Sequence, residues 1–411
     1  MTLAEVPLVL MLVGLSAYAV LGGADFGAAF WQLGARGDAR TEARREHAYR
    51  AMGPVWEANH VWLVFVLAVC WTAYPEAFAS IFSTLSLPLF IAALGIILRG
   101  TAYAVHAGTA REIERRAIDA VFSVSSLLTP FALGAAIGGI ASGRVPVGNA
   151  EGDPVTSWVN PTSFAIGTIA VAAGAYLAAV YLAGDAARAG LGDLTAAFRT
   201  RALVAGAVTG AIALAGLVIV SLDAETLRDG LFGWPAILAL VASAAAGLAT
   251  LELVRRARFE AARYLASAAV AAIVVGWALA QRPELLPGLT VEQAAAERST
   301  LIATIVGVAL GAAVLGPSLA LLFGLVLRGR FDREAAEADF ETHGRTVARH
   351  RRPLVGLAIL TLAVGLPLTL VADGGPVQGV GVVALLAFVG FGSAALGSAA
   401  AAAAHDDDRR S

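Results

Sequence analysis

Long apolar segments separated by shorter polar ones dominate the chain. Eleven of these segments span roughly 18 residues or more, enough to cross a hydrocarbon core of roughly 30 Å as an α-helix. Because every backbone amide in lipid must be satisfied within its own segment, the pattern predicts an all-α polytopic membrane protein with about eleven transmembrane helices. The predicted spans lie near residues 7–31, 54–73, 77–99, 119–141, 161–183, 202–221, 231–253, 264–281, 299–327, 354–372 and 377–404.

The polar connections differ in character. Spans two and three are separated only by TAYPEA, which predicts a tight turn containing proline. The connection 142–160 is polar and rich in turn residues, whereas 282–298 has two prolines followed by a segment that can form a short interfacial helix. The connection 328–353 mixes arginine with acidic residues, as expected of a solvated helix on the membrane surface.

Composition agrees with a membrane protein and excludes other classes. The 411 residues are 58% hydrophobic and 15% charged, with a mean hydropathy of +0.75. A net charge of −2 gives no indication of nucleic-acid binding. The lone cysteine, Cys70, excludes a disulfide framework or a cysteine-rich metal site. The first residues lack the features of a cleaved signal peptide, so we expect the first apolar segment to be the first span.

Arginine placement predicts the orientation. All 29 basic residues are arginine, and the connections alternate strictly, with 25 arginines on one side of the membrane and four on the other. Positive charge is concentrated in cytoplasmic loops. The sequence therefore predicts a multi-pass membrane protein with its N-terminus outside and its C-terminus in the cytoplasm.

Four ionisable residues at the inner level of the first three spans are candidates for function, because such groups are costly in lipid. Asp25 lies about 9 Å before Trp31 along the first helix. Glu57 and His60 begin the second span three residues apart, on one helical face, and Arg99 ends the third. Carboxylates and a histidine at one depth suit proton transfer.

Structural explanations compete with the functional one. Glu57 can favour a helix dipole, while Asn59 and the tryptophans beside it can anchor the membrane interface. Arg99 can be a snorkelling positive-inside residue, and His60 can be a packed, hydrogen-bonded side chain. For Asp25 the alternative is a buried structural ion pair, with Arg99 as its partner.

Several motifs resemble subunit II of the cytochrome bd-type quinol oxidases. GPVWEANHVWL, from residue 53, is similar to that family's signature G-P-x-W-[DE]-x-N-x-V-W-L, and AVLGGADFGAAF is similar to its first-helix pattern around D-G-F-D-x-G. LRGTAYAV and PELLPGLTVEQAAAERSTL resemble the end of its third helix and its proline-rich outer loop. The resemblance covers residues 1–330 in order and spacing.

The resemblance implies an architecture of two four-helix bundles plus a peripheral helix, to which this chain adds two C-terminal helices. The domains are then expected as follows: residues 1–143, first bundle; 155–283, second bundle; 284–330, outer loop and ninth helix; 331–411, cytoplasmic segment and helix pair.

The resemblance also implies a partner and a reaction. Such subunits form a heterodimer with a larger subunit I, which ligates two b-type haems and one d-type haem and holds the quinol site. The complex oxidises quinol and reduces O2 to water, with protons taken from the cytoplasm. The sequence offers no convincing haem ligand in this chain, so we expect it to bind no metal and to be inactive without subunit I.

Residue roles follow only where this sequence matches the motifs. Glu57 and Asp25 match the acidic signature position and the second aspartate of the first-helix pattern, so the resemblance places both in the proton-uptake region. Arg99 matches the third-helix arginine, whereas His60 stands where the family often has Gln or Glu. We expect all four residues to take part in proton uptake. Gly22 replaces the first aspartate of the first-helix pattern, which removes one carboxylate. The remaining motif side chains are expected to pack near the subunit interface and its cofactors: Trp56, Asn59 and Trp62.

Two other functions fit the same pattern of spans and buried charges. A proton-coupled secondary transporter would also carry buried acids and proline-broken helices, but no inverted repeat is visible. A scaffold whose charges are purely structural is the second alternative.

Overall fold

The computed structural model describes residues 2–32, 43–45, 47–48, 56–106 and 112–327, and short helical stretches between 353 and 391. The chain divides into two compact units, Met1–Val314 and Leu315–Ser411. Apart from one two-stranded hairpin, the regular structure in these residues is helical.

The helices of the first unit run the length of the predicted spans. They are α1 Glu5–Ala17, α2 Gly23–Phe30, α3 Trp56–Ala73, α4 Pro75–Thr84, α5 Ser86–His106, α6 Glu112–Ala141, α7 Pro161–Arg188, α8 Gly192–Asp223, α9 Glu225–Leu231, α10 Trp234–Arg255, α11 Phe259–Gln281, α12 Val291–Ala294 and α13 Arg298–Leu327, the last of which crosses into the second unit.

The fold class is confirmed. Within the described residues, seven helical segments are long and apolar enough to cross a membrane, and a bent pair makes an eighth. Helix α3 coincides with the predicted second span. The predicted tenth and eleventh spans fall partly outside the described residues. Within the tenth, Gly356–Gly365 form a short apolar helix. The full count of eleven therefore stays a prediction.

The third predicted span is not one continuous helix. Helices α4 and α5 meet at Leu85 with a bend of 82°. Pro88 lies in the first turn of α5. In a continuous helix its backbone nitrogen would face the carbonyl of Thr84, but proline has no N–H to donate and its ring would clash with that carbonyl. The break is secured because Leu85 is fully buried against other apolar residues.

Glycines allow the first span to pack closely on α7. A Cβ atom on Gly27 would lie 1.9 Å from the carbonyl oxygen of Gly174, and one on Gly174 would lie 2.6 Å from the carbonyl oxygen of Gly23. Only glycine, which has no Cβ atom, permits the two backbones to approach so closely. The contact fixes α2 and its acidic residue against α7, many of whose residues are buried.

The main core joins parts that the sequence assigned to separate bundles. It combines residues of α2, such as Ala28, with residues of α7, such as Leu177, and of α11, such as Ala266. The predicted boundary between two bundles stays a prediction, but apolar packing is continuous across it.

The predicted outer connection 282–298 contains more structure than the sequence indicated. Strands β1 (Glu284–Leu286) and β2 (Leu289–Thr290) form an antiparallel hairpin. Helix α12 follows, with a capping box between Thr290 and Gln293, which agrees with the predicted short helix. Leu286 is fully buried, so the hairpin covers one end of the bundle.

Candidate functional site

A turn of π-helix interrupts the first span just before Asp25. It covers Tyr18–Gly22, between α1 and α2. Single π-turns leave the regular hydrogen-bond ladder and occur often at functional sites. Asn59, on α3, donates from Nδ2 to the carbonyl oxygen of Leu21 within this turn, at 3.3 Å. The signature helix is thus attached to the irregular part of the first span.

Asp25 and Arg99 form a buried, two-pronged ion pair. Arg99 Nη2 lies 2.7 Å from Asp25 Oδ1, and Nη1 lies 2.9 Å from Oδ2. Nη2 also donates to the backbone carbonyl of Asp25 at 3.3 Å. Only 6% of Asp25 and 2% of Arg99 are exposed. The ion pair that the sequence left as an alternative for Asp25 is therefore present.

The surroundings of Arg99 fix its orientation. Its Nε donates to Ser126 Oγ on α6 at 3.1 Å, and that hydroxyl donates to the carbonyl of Phe122 at 2.6 Å. The guanidinium carbon lies 4.8 Å from the centre of the Phe26 ring and 5.2 Å from that of Phe122. Aromatic faces attract a desolvated cation, so three helices together hold the charge in place.

His60 lies beside the pair, on the side of the π-turn. Its ring contacts the rings of Tyr18 and Phe26 edge-on, with centres 6.1 Å apart in each case. Phe26 therefore contacts both His60 and Arg99. The phenolic oxygen of Tyr18 is buried, lies within electrostatic range of Asp25 and Arg99, and has no hydrogen-bond partner among the described residues.

The structure gathers most of the predicted site residues. Asp25, Arg99 and His60 are brought together, and Asn59 is buried within this chain, at 4% exposure. Trp62 is half-buried on α3. The backbone of Trp56 and Glu57 belongs to α3, but their side chains lie outside the described part of the structure.

Two polar contributors were missed at the level of sequence. Ser126 belongs to FSVSSLLT, a polar-containing stretch of an apolar span, and lies four residues from Phe122, which puts both on one face of α6. Tyr18 precedes Asp25 by seven residues, two helical turns. The available signals were a polar residue within an apolar span, for Ser126, and a spacing of two helical turns from a buried charge, for Tyr18.

Comparison with known proteins decides the family. Residues 3–326 match the family described as cytochrome bd terminal oxidase subunit II. The chain belongs to this family. It is 26% identical over 230 residues to a putative cytochrome bd menaquinol oxidase subunit II of Bacillus subtilis, covering 53% of this chain and 63% of that protein. It is also 30% identical over 114 residues to a cytochrome bd ubiquinol oxidase subunit 2 of the same organism, covering 28% and 33%.

The matched segments thus span about a third and just under two thirds of these curated bd subunits. A chain of the bd oxidase of Geobacillus thermodenitrificans has the same fold, with a TM-score of 0.66 and 24% identity over 80% of this chain and 99% of that one. The family match ends at residue 326, so the segment 331–411 that the sequence identified as additional lies beyond it.

In the described part of this bd subunit, the side chains that could bind a metal ion are those of His, Cys, Asp and Glu. The described residues hold no cluster of three or more His, Cys, Asp or Glu side chains able to bind a metal ion. His47 Nε2 lies 3.1 Å from the carbonyl oxygen of Leu182, which engages one of the described histidines in the fold.

Proposed function

We propose that this chain is subunit II of a bd-type quinol oxidase, paired with a larger haem-bearing subunit I in the bacterial cell membrane. In this proposal, the complex oxidises quinol and reduces O2 to water, and this chain supplies part of the proton-uptake path from the cytoplasm. Its N-terminus is outside and its C-terminus is in the cytoplasm. The observation that carries the proton role is the buried Asp25–Arg99 pair beside the signature helix.

We propose different tasks for the two acidic residues, Asp25 and Glu57. Both oxygens of Asp25 accept hydrogen bonds from Arg99, so we propose that Asp25 and Arg99 form a fixed, electrically neutral element. This pair positions the neighbouring groups and holds a polar site open in a low-dielectric region. Buried pairs of this kind persist because each charge compensates the other.

We propose that the mobile protons pass along Glu57 and His60. Glu57 precedes His60 by three residues in the sequence, a spacing that predicts both on one face of a helix. His60 contacts Phe26, which in turn contacts Arg99. A histidine can accept and release a proton near neutral pH, which suits a relay beside a fixed ion pair.

The test replaces Glu57 and compares it with a glutamate of the same chain outside the site. Glu57→Gln keeps the size of the side chain and removes its titration; Glu76→Gln is the matched control, at an exposed position on α4. We expect Glu57→Gln to slow O2 consumption at least tenfold, with unchanged haem absorbance and subunit I still co-purifying. Glu76→Gln should retain wild-type turnover.

The outcomes separate the alternatives. Wild-type turnover in Glu57→Gln would favour a scaffold with structural charges. A purified protein without subunit I or haem absorbance would contradict the oxidase assignment itself. The family match gives no support to a proton-coupled transporter.

A further inference from the structure

An apolar groove lies on the first unit, next to the ion-pair site but separate from it. It encloses about 680 Å³. Its walls are Phe30 and Trp31 at the end of α2 and one face each of three further helices: α6 between Val124 and Phe131, α7 between Thr168 and Ala175, and α8 between Val204 and Ile212. The first and last lining residues on α8 are eight positions apart, about 12 Å along the helix.

The polar atoms on the wall are already engaged by the protein. Thr209 Oγ1 donates to the carbonyl of Ala172 at 3.0 Å, and Thr168 Oγ1 donates to that of Phe164 at 2.7 Å. Trp31 Nε1 donates to the carbonyl of Ala175 at 2.9 Å. The interior therefore offers no side-chain donor to a polar head group, and an occupant there must be apolar.

One end of the groove carries a positive charge. Arg201 precedes Val204 and Ala205 by three and four residues, so it continues the groove-lining face of α8 by one turn. Its guanidinium carbon lies 5.8 Å from the centre of the Trp31 ring and 5.7 Å from that of Phe198. Within the described residues, no carboxylate forms an ion pair with Arg201.

The Arg201 end of the groove is predicted to lie at the level of the lipid phosphates of the cytoplasmic leaflet. The arginine distribution predicts the start of α8 to be cytoplasmic, and Arg201 is the residue immediately before the predicted span 202–221. Arg44 is a second cation that acts electrostatically on Arg201. Basic pockets between transmembrane helices on the cytoplasmic side bind anionic lipid head groups, and arginine suits phosphate through its planar set of donors.

We infer that the groove holds an acyl chain of an anionic phospholipid of the inner leaflet, whose phosphate binds Arg201. The observations favour a phospholipid over a quinone because the polar end of the groove carries a full positive charge, which suits a phosphate better than a neutral ring carbonyl. They favour lipid over a protein helix because charge and apolar surface are arranged end to end, as in a lipid. The lining of the groove does not include Asp25, Glu57, His60 or Arg99, so this lipid site is separate from the proposed proton path.

The test counts lipids on the intact complex by native mass spectrometry. The complex is stripped in detergent and then supplied with phosphatidylglycerol, which is anionic, or phosphatidylcholine, which is zwitterionic. We expect the wild type to retain one phosphatidylglycerol per chain in preference to phosphatidylcholine. Arg201→Gln should lower that retention about fivefold, equivalent to about 1 kcal/mol per basic residue near a membrane surface. Arg201→Lys, which keeps the charge, should restore most of it.

Matched variants separate the groove from the rest of the surface. Val208→Trp fills the mouth of the groove and should reduce retention of both lipids, whereas Val218→Trp, on another face of α8 and similarly exposed (57% against 49%), should not. Arg255→Gln, an exposed arginine on α10, is the control for lost charge.

Three outcomes would overturn the inference. The first is lipid retention in Arg201→Gln and Val208→Trp equal to that of their controls. The second is a quinone, rather than phospholipid, extracted from wild type and lost in Val208→Trp. The third is release of subunit I by Val208→Trp alone, which would make the groove a subunit interface.

Discussion

Two arginine–aspartate pairs with similar geometry lie at different levels along α6. Arg99 and Asp25 pair beside Ser126, near the middle of α6, at the level that the sequence predicts to be the inner one. Arg144, just beyond the end of α6, binds Asp223 through two bonds of 2.9 and 3.0 Å. From Ser126 to the end of α6 is fifteen residues, about 22 Å. Each pair also includes a hydroxyl group, but the two differ sharply in their contact with water.

The two pairs differ in burial: the Asp25–Arg99 pair lies inside the candidate site, whereas the Asp223–Arg144 pair joins the ends of helices near the surface. The side chains of Arg99 and Asp25 are 3% and 4% exposed, against 35% and 16% for Arg144 and Asp223. Asp223 also accepts from the hydroxyl and backbone N–H of Thr162, at 2.7 and 3.2 Å, and so links the ends of α6, α7 and α8. Water can replace a lost partner only at this outer pair.

The largest effect is expected from Arg99→Gln. It leaves Asp25 as a buried carboxylate without its compensating charge, which costs about 3–5 kcal/mol. We expect a strongly lowered thermal midpoint of the purified complex, or failure of assembly. A shift no greater than that of Arg144→Gln would show that burial does not distinguish the pairs.

The double variant Asp25→Asn/Arg99→Gln should be more stable than Arg99→Gln alone. Removing both charges avoids an uncompensated one, and we expect about 2 kcal/mol of recovery, within the range measured for residues in contact. The thermal midpoints of the wild type, both single variants and the double variant form the cycle. Additive losses would mean that Asp25 and Arg99 do not interact in the assembled protein.

Ser126→Ala probes the hydroxyl of the inner pair. It removes the acceptor of Arg99 Nε, and we expect a loss of about 1–2 kcal/mol because a hydrogen bond to a buried charge is broken. Thr162→Val is the matched outer variant, with a smaller expected loss because Asp223 keeps Arg144 and reaches water. The same thermal measurement compares the two, and a larger loss in Thr162→Val would reverse the comparison.

The smallest effect is expected from Arg144→Gln, below about 1 kcal/mol. This loss should shrink as salt rises from 0.1 to 1 M, because the screening length falls from about 10 to about 3 Å. The loss in Arg99→Gln should not respond to salt. Thermal midpoints at both salt concentrations check this, and a salt-independent loss at Arg144 would contradict the assignment of its pair as solvent-screened.

The sequence predicted which residues share a membrane level, but not which of them bind one another. Helical rise and the arginine alternation were sufficient to place Asp25, His60 and Arg99 at one depth. Whether Asp25 accepts protons or pairs with Arg99 depends on the rotation of three helices, which hydrophobicity does not encode. The π-turn is a further feature that hydrophobicity does not encode, and it changes the direction in which every following side chain points.

Glycine and proline residues are visible in the sequence, but whether they produce a close helix contact or a bend depends on tertiary packing. Gly23 and Gly27 are visible in the sequence, yet their role appears only when Gly174 of α7 lies against them. Pro88 was available as a signal for the bend at Leu85, but the surrounding segment was apolar throughout and read as one span. A proline inside an apolar segment kinks or breaks a helix according to what the freed groups and buried side chains contact.

By itself, the sequence determined the all-helical membrane architecture, most of the span positions and the family, because these follow from local runs of apolar residues and from a contiguous motif. Tertiary structure alone decided the pairing of Asp25 with Arg99, 74 residues apart, the enclosure of His60 by Tyr18 and Phe26, and the groove that ends at Arg201. These features arise where side chains from separate helices meet, and each depends on helix rotation and close approach that no single segment specifies.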